Sequence, residues 1–208
     1  MEISIEWGYE LLHKEEVPLH IIAHSERVAL ISLLLGCQLK EAGEPLDLKT
    51  LTLGALLHDV KKFSSLKTGE NHALAGYKLM QTLGLERIGE IIYAHIFLKA
   101  PKPGAPISEE EIVFYADKRV KHAEIVLLKD RFSDLRVRYG RTLKALIRMA
   151  LLEEMTLLLE KRLFKKIPLK PEDLLKLNEI KEVKDVLKRC LESCSPCRGD
   201  LLREGGIS

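Results

Sequence analysis

Asparagine and glutamine are scarce in this chain of 208 residues: two of each stand against 33 basic and 31 acidic side chains. That balance is a bias of thermophilic proteins. Long hydrophobic runs are also missing. The longest, VALISLLLGC at 28–37, is too short to cross a bilayer. The opening stretch MEISIEWGYE is acidic and lacks the basic n-region of a signal peptide. Both absences lead to the expectation of a cytoplasmic protein with no membrane contact. There is no low-complexity tract and no internal repeat, which sets aside solenoids and disordered segments. At 46% hydrophobic and 31% charged, the chain reads as globular.

No large excess of one charge is present either. A net charge of +2 argues against a dedicated nucleic-acid binder. The balance is uneven along the chain: residues 1–139 hold 18 basic and 20 acidic side chains, and residues 140–208 hold 15 and 11. The densest basic patch, KRLFKKIPLK at 161–170, reads most simply as a solvated helix face.

Strand-like alternation is the last thing lacking, and helical periodicity fills its place. The segment 18–43 begins with Pro18 at a first helical position and ends near Gly43; Ile21, Val28, Ile31, Leu35 and Leu39 recur at threes and fours. Asp47 is an expected N-cap for the next helix. Asn71 and Gly84 bracket another. Ser108 and Glu111 form a capping box at the head of 108–126. APKPGAP at 100–106 is a loop, and two amphipathic stretches follow at about 141–166 and 171–193. The fold class is all-α.

Within this pattern, GALLHDVKKF at 54–63 is out of place. An apolar run built for a core ends on an imidazole, a carboxylate and two ammonium groups. Other segments carry matching chemistry: His24 on the helix of Ile21 and Val28, His72 and His95 on two helices further on, and Asp117 in FYADKRV. Divalent metals take carboxylate oxygen and imidazole nitrogen gathered from separate rigid elements. A helix bundle can supply such ligands by projecting them inward. The remaining histidines fit less well. His13, His20 and His122 read as surface residues; HIIAH at 20–24 lacks the glutamate of metalloproteases, so only His24 is taken as a ligand. Trp7, Tyr77 and Tyr93 read as core residues.

The order His24, His58-Asp59, Asp117 resembles the H…HD…D signature of the HD-domain superfamily of metal-dependent phosphohydrolases. HSERVALISLLL resembles the first motif helix, LGALLHDVKKF the central motif with Lys62 in its lysine position, and NHALAGYKLM, IIYAHI and IVFYADKRV the later ones. Val60-Lys61 departs from the usual Ile-Gly and leaves the ligands alone. The resemblance covers roughly residues 5–140 and implies an HD helical bundle over 1–140, with 141–208 a C-terminal helical extension and Cys-rich tail. His72 and His95 are similar to the extra histidines of the dinuclear branch, which includes dinucleoside-polyphosphate hydrolases and cyclic-dinucleotide phosphodiesterases. The GYP element of the latter is absent after His95, which makes cyclic di-GMP an unlikely substrate.

What the resemblance implies for chemistry is specific. Two divalent ions, iron or manganese first and magnesium, cobalt, nickel or zinc admissible, would be bridged by Asp59 and would activate a water for attack on phosphorus. His24, His58 and Asp117 would hold one ion or span the pair, and His72 and His95 mainly the second. Asp59 and Lys62 are the expected catalytic residues. Lys62, Lys118 and Arg119 are the expected phosphate-binding residues, and Arg27 would orient a carboxylate ligand. The expected substrate is a nucleotide or other small phosphoester, and a homodimer is admitted. Three alternatives stay open: a dinuclear iron oxygenase on the same ligands, a silent nucleotide sensor, and a redox or scaffold protein centred on the cysteines. Cys190, Cys194 and Cys197 have a C-x3-C-x2-C spacing that suits a metal cluster, a disulfide or free thiols. Cys37 reads as a packed helix residue.

Overall fold

The structure is a computed structural model and describes residues 3–102 and 104–192. Ten α-helices run through it: α1 (Ile5–Lys14), α2 (Leu19–Glu41), α3 (Leu48–Leu57), α4 (Lys62–Thr68), α5 (His72–Thr82), α6 (Glu86–Ala94), α7 (Glu109–Lys118), α8 (Leu128–Tyr139), α9 (Leu143–Phe164) and α10 (Val183–Glu192). A 3-10 segment, Pro171–Glu179, precedes α10, and a two-stranded hairpin, β1 (Val120–Lys121) and β2 (Glu124–Ile125), follows α7. The all-α reading holds.

Caps decide where the helices begin. Asp47 accepts from the N–H groups of Lys49 and Thr50, Asn71 from Leu74, and Ser108 from Glu111, whose carboxylate closes the capping box on the Ser108 N–H. Gly84, at φ +69°, ends the turn after α5, where a left-handed backbone is cheap for glycine alone.

Helix α2 is the axis of the fold. By length and composition it is the one described helix that could cross a membrane, but its apolar surface is spent inside the protein. Every residue from Val28 to Leu35 is buried, as expected for a helix that is apolar all round. Helices α3, α7 and α10 pack around it. Helices α3 and α6 meet closely at Gly54, where an added Cβ would stand 2.6 Å from Ile91 Cγ2. Gly54 lies four residues before His58, and Ile91 four before His95. This contact therefore sets the separation of two histidine-bearing helix ends.

Two sequence expectations are corrected. The helix opened by Ser108 stops at Lys118 rather than running to 126, because His122 takes φ +55° in the hairpin turn. The segment expected as one helix over 171–193 divides at Ile180, where the backbone is extended. The C-terminal part also shares its core with the rest. Leu159, Leu163, Leu174, Leu177, Val186 and Leu187 belong to the same buried cluster as Leu30 and Leu56. Cys37 and Cys190 are buried; Cys194 and Cys197 lie outside the described residues.

Candidate metal centre

Helix ends converge on one point. Helix α3 ends at its C-cap, His58, and the turn His58–Lys61 carries Asp59 before α4 begins. His72 is the first residue of α5, His95 caps the C-terminus of α6, and Asp117 sits in the last turn of α7. His24 joins them from the second turn of α2. The break after Leu57 is what the polar end of GALLHDVKKF accomplishes: the core helix stops where its last residues must face the site.

Three imidazoles are oriented in the same way. His24 Nδ1 lies 2.8 Å from the His122 carbonyl, His58 Nδ1 2.7 Å from that of Ala55, and His95 Nδ1 2.5 Å from that of Ile92. Each Nδ1 must donate, so each neutral ring turns the Nε2 lone pair inward, the tautomer that suits a metal ligand. His24 Nε2 then stands 3.1 Å from Asp117 Oδ1, and His58 Nε2 stands 3.4 Å from Asp59 Oδ2 and 3.7 Å from Asp117 Oδ1. On the other side of Asp59, Oδ1 is 3.2 Å from His72 Nε2 and 3.7 Å from His95 Nε2, and the two Nε2 atoms are 3.2 Å apart.

This arrangement leaves buried atoms unsatisfied. His58 Nε2 and Asp59 Oδ1 have no hydrogen-bond partner, although acceptors and rings surround them. Two carboxylates also sit at helix C-termini, the negative ends of the dipoles, where carboxylates are disfavoured. Lone pairs aimed at one another in a dry site call for a cation. The residues meet that need in two sets of three, His24–His58–Asp59 and Asp59–His72–His95, each with its donor atoms within 4.8 Å of one another. Asp59 belongs to both. Five of the six expected ligands fall in these two sets, which can hold a metal ion, and Asp117 adjoins the first through His24 and His58.

The protonation pattern shows the same demand for positive charge: burial opposes a charged His58, but Asp59 and Asp117 outweigh it and hold its pKa above the ordinary value. Burial works against ionising Asp59, but the His58 ring, His72 and Lys62 outweigh it and hold the carboxyl well below its ordinary range. Asp117 is likewise held low against burial by Lys118, His24 and His58. Burial and the neighbouring His58 push the His95 imidazole down to about 3, which keeps it neutral.

The cations separate into two kinds. Lys62 Nζ donates to Asp59 Oδ2 at 2.6 Å and is half exposed. Lys118 Nζ, buried over the Phe114 ring, donates to Asp117 Oδ2 and to the His95 carbonyl, both at 2.7 Å. Both reach the site. Arg119 does not, contrary to expectation. It is fully buried, and its guanidinium donates to the carbonyls of Val126 and Pro171, to Tyr115 Oη and to Glu160. Arg27 likewise orients no carboxylate; it donates to the Leu177 and Ile180 carbonyls. Both arginines fasten the 3-10 segment to the helices of the site. Sequence reasoning also passed over two features. The His122 carbonyl orients His24 although the His122 side chain is exposed as expected. Arg131 on α8 lies close enough to Lys62 to disfavour its charge, and its Nε is buried without a partner. Neither sits in a recognisable motif.

Tyr77 and Tyr93 are not core residues. They are half-buried and, with Leu74 and Phe97, line a groove of about 710 Å³. Leu74 and Tyr93 each lie two positions from a site histidine, so helical geometry turns the groove away from the site.

Comparison with known proteins agrees with this constellation. Over 148 residues the chain is 26% identical to an uncharacterized protein of Methanocaldococcus jannaschii, a match that covers 65% of this chain and 86% of that protein. No solved structure matches. The HD domain family profile matches residues 21–121, a span that contains all six converging residues, and this chain therefore carries an HD domain over residues 21–121.

Proposed function

We propose that this chain is a metal-dependent phosphohydrolase acting on a nucleotide or other small phosphoester. The observation that carries the reading is the pair of three-donor groups sharing Asp59, with His58 Nε2 and Asp59 Oδ1 buried and unsatisfied between them. His24, His58, Asp59 and Asp117 would hold one divalent ion, and His72 and His95 with Asp59 a second. Iron suits the imidazoles of this set, and manganese its carboxylates. When bound, the metal supplies a nucleophile at neutral pH and Lewis acidity toward a phosphoryl group.

The chain's own residues have distinct tasks in this reading. The backbone carbonyls of His122, Ala55 and Ile92 hold three rings with Nε2 forward. Lys118 keeps Asp117 ionised and fixes it against His95. Lys62, half exposed above Asp59, is the cation free to swing to a non-bridging phosphate oxygen. These cations favour an anionic phosphoester over oxygen as the co-reactant, which sets the phosphohydrolase ahead of an iron oxygenase on the same ligands. A panel of nucleotides and simple phosphoesters, assayed for phosphate release after reconstitution with iron or manganese, tests the reading. Turnover that Asp59→Asn abolishes is the expected result. Tight nucleotide binding without turnover by any metal form would replace the enzyme with a sensor.

A further inference from the structure

Helices α8 and α9 form a hairpin that spends only part of its apolar surface on the core. Eight of the 13 exposed large hydrophobic residues among those described lie between 137 and 158: Val137, Tyr139, Leu143, Leu146, Ile147, Leu151, Met155 and Leu158. Leu143, Ile147, Leu151 and Leu158 are each more than half exposed. Leu143, Ile147, Leu151 and Met155 follow one another every four residues, which makes a single ridge on α9, and Leu158 extends it. The ridge is about 22 Å long at 1.5 Å per residue. The eight residues together expose on the order of 900 Å², about 550 Å² of it on the ridge, against the ~800 Å² per partner that a standard interface buries. A ridge of that size stands at the upper end of the largest apolar patch that monomers leave in water.

We propose that a second copy of this chain covers this face, with the two α9 helices antiparallel across a two-fold axis at Leu151. Two features of the helix select that occupant and that direction. The ridge is symmetric about Leu151: Ile147 and Met155 stand four residues to either side, so a two-fold sets Leu151 against Leu151 and Ile147 beside Met155. This is the self-complementarity an isologous interface needs. One charge pair is complementary about the same residue. Reflection through Leu151 sets Arg148 on Glu154, both exposed, while Arg141 falls on Lys161 and Lys144 on Leu158. Glu153 and Glu160 are paired within the chain to Arg136 and Arg119, which leaves Glu154 as the acid for Arg148. An antiparallel copy brings Arg148 beside Glu154 on both sides of the axis and opposes the helix dipoles. A parallel copy would lay like along like.

The test uses the full chain. Light scattering across a range of protein concentrations is expected to give the mass of a dimer. Leu151→Glu is expected to give a monomer with an unchanged circular dichroism spectrum, since Leu151 is exposed and its loss costs the fold little. Leu19→Glu, at an equally exposed leucine outside the ridge, is expected to leave the dimer intact. Carbodiimide coupling then reads direction. Lys144 and Glu154 are ten residues apart, about 15 Å along one helix, too far to join within a chain but close across the antiparallel pair. Their cross-link is expected in the dimer band and absent from Leu151→Glu. A wild-type monomer at every concentration overturns the proposal, and so does a dimer that survives Leu151→Glu. Flotation of a monomeric wild type with phosphatidylglycerol vesicles, lost in Leu151→Glu, would assign the face to a lipid surface instead.

Discussion

His24, His58 and His95 each commit Nδ1 to a backbone carbonyl, and this leaves Nε2 as the only nitrogen each can offer the site. Asp59 stands between the two sets they help to form. Asp59→Ala is therefore expected to lose both metal and turnover, with helical content retained, as read by metal analysis and circular dichroism on one preparation. Lys62→Ala is expected to keep its metal and lose about 10²-fold in kcat/KM, the scale of a donor aimed at developing charge. Loss of metal from Lys62→Ala would contradict the role assigned to it. Arg119 belongs to a different class. Its guanidinium is buried against Glu160, so Arg119→Ala is expected to destabilise the fold by about 3 kcal/mol, with little change in KM for whatever folded enzyme remains. Thermal unfolding and steady-state kinetics on that variant separate the two effects. The six converging residues were legible in the sequence because their order and spacing resemble a family signature. Arg119 was not. It adjoins Lys118 at a helix end, but successive side chains diverge by 100°, and its partners Glu160 and Pro171 come from a segment no local pattern connects to it.

At the level of elements, the site depends on how closely α3 and α6 approach. The Cβ that Gly54→Ala adds would press on Ile91 one turn before both His58 and His95. Such overpacking costs about 1–3 kcal/mol, and because it spreads the two ligand-bearing ends, weaker metal affinity is expected together with a lower melting temperature. Unchanged affinity would show that the helix ends are positioned by something else. Glu44 makes a second link between elements. It follows α2, accepts from the Ile107 N–H at 2.6 Å ahead of α7, and pairs with Lys166 after α9. Burial raises its pKa, but Lys166 and the Ile107 N–H outweigh that and hold the carboxyl below its ordinary value of 4.5. A carboxyl lowered on folding stabilises above its unfolded pKa and loses that contribution as pH falls through the folded value. Glu44→Gln is thus expected to lower the melting temperature at neutral pH and to narrow the gap from the wild type under acid. Helix starts at Asp47, Asn71 and Ser108 were legible from their caps. The end of α7 was not, because its stop comes from a hairpin turn at His122, a residue with no turn signature.

Across the whole molecule, the sequence divides near Gly140 but the core does not. Leu159, Leu163, Leu174, Leu177, Val183, Val186 and Leu187 are buried with the helices of the HD domain, and Arg27 and Arg119 fasten the same segment by its carbonyls. Burial of each such side chain stabilises by about 1.5–3 kcal/mol before the entropy of ordering the segment is set against it, so losing all seven is comparable to a typical net stability of about 5–15 kcal/mol. A fragment ending at Gly140 is expected to show no cooperative thermal transition. A folded fragment would show that residues 1–140 stand without the extension. Amphipathic periodicity announced the C-terminal helices; it cannot say which surface they pack on.

Metal content of the purified chain, reconstituted with excess iron or manganese and then desalted, tests the shared-Asp59 centre most directly. The account predicts about two ions per chain in the wild type, about one in His72→Ala or His95→Ala, and close to none in Asp59→Ala. A wild type that retains no more than one ion per chain, or an Asp59→Ala variant that retains two, would contradict it.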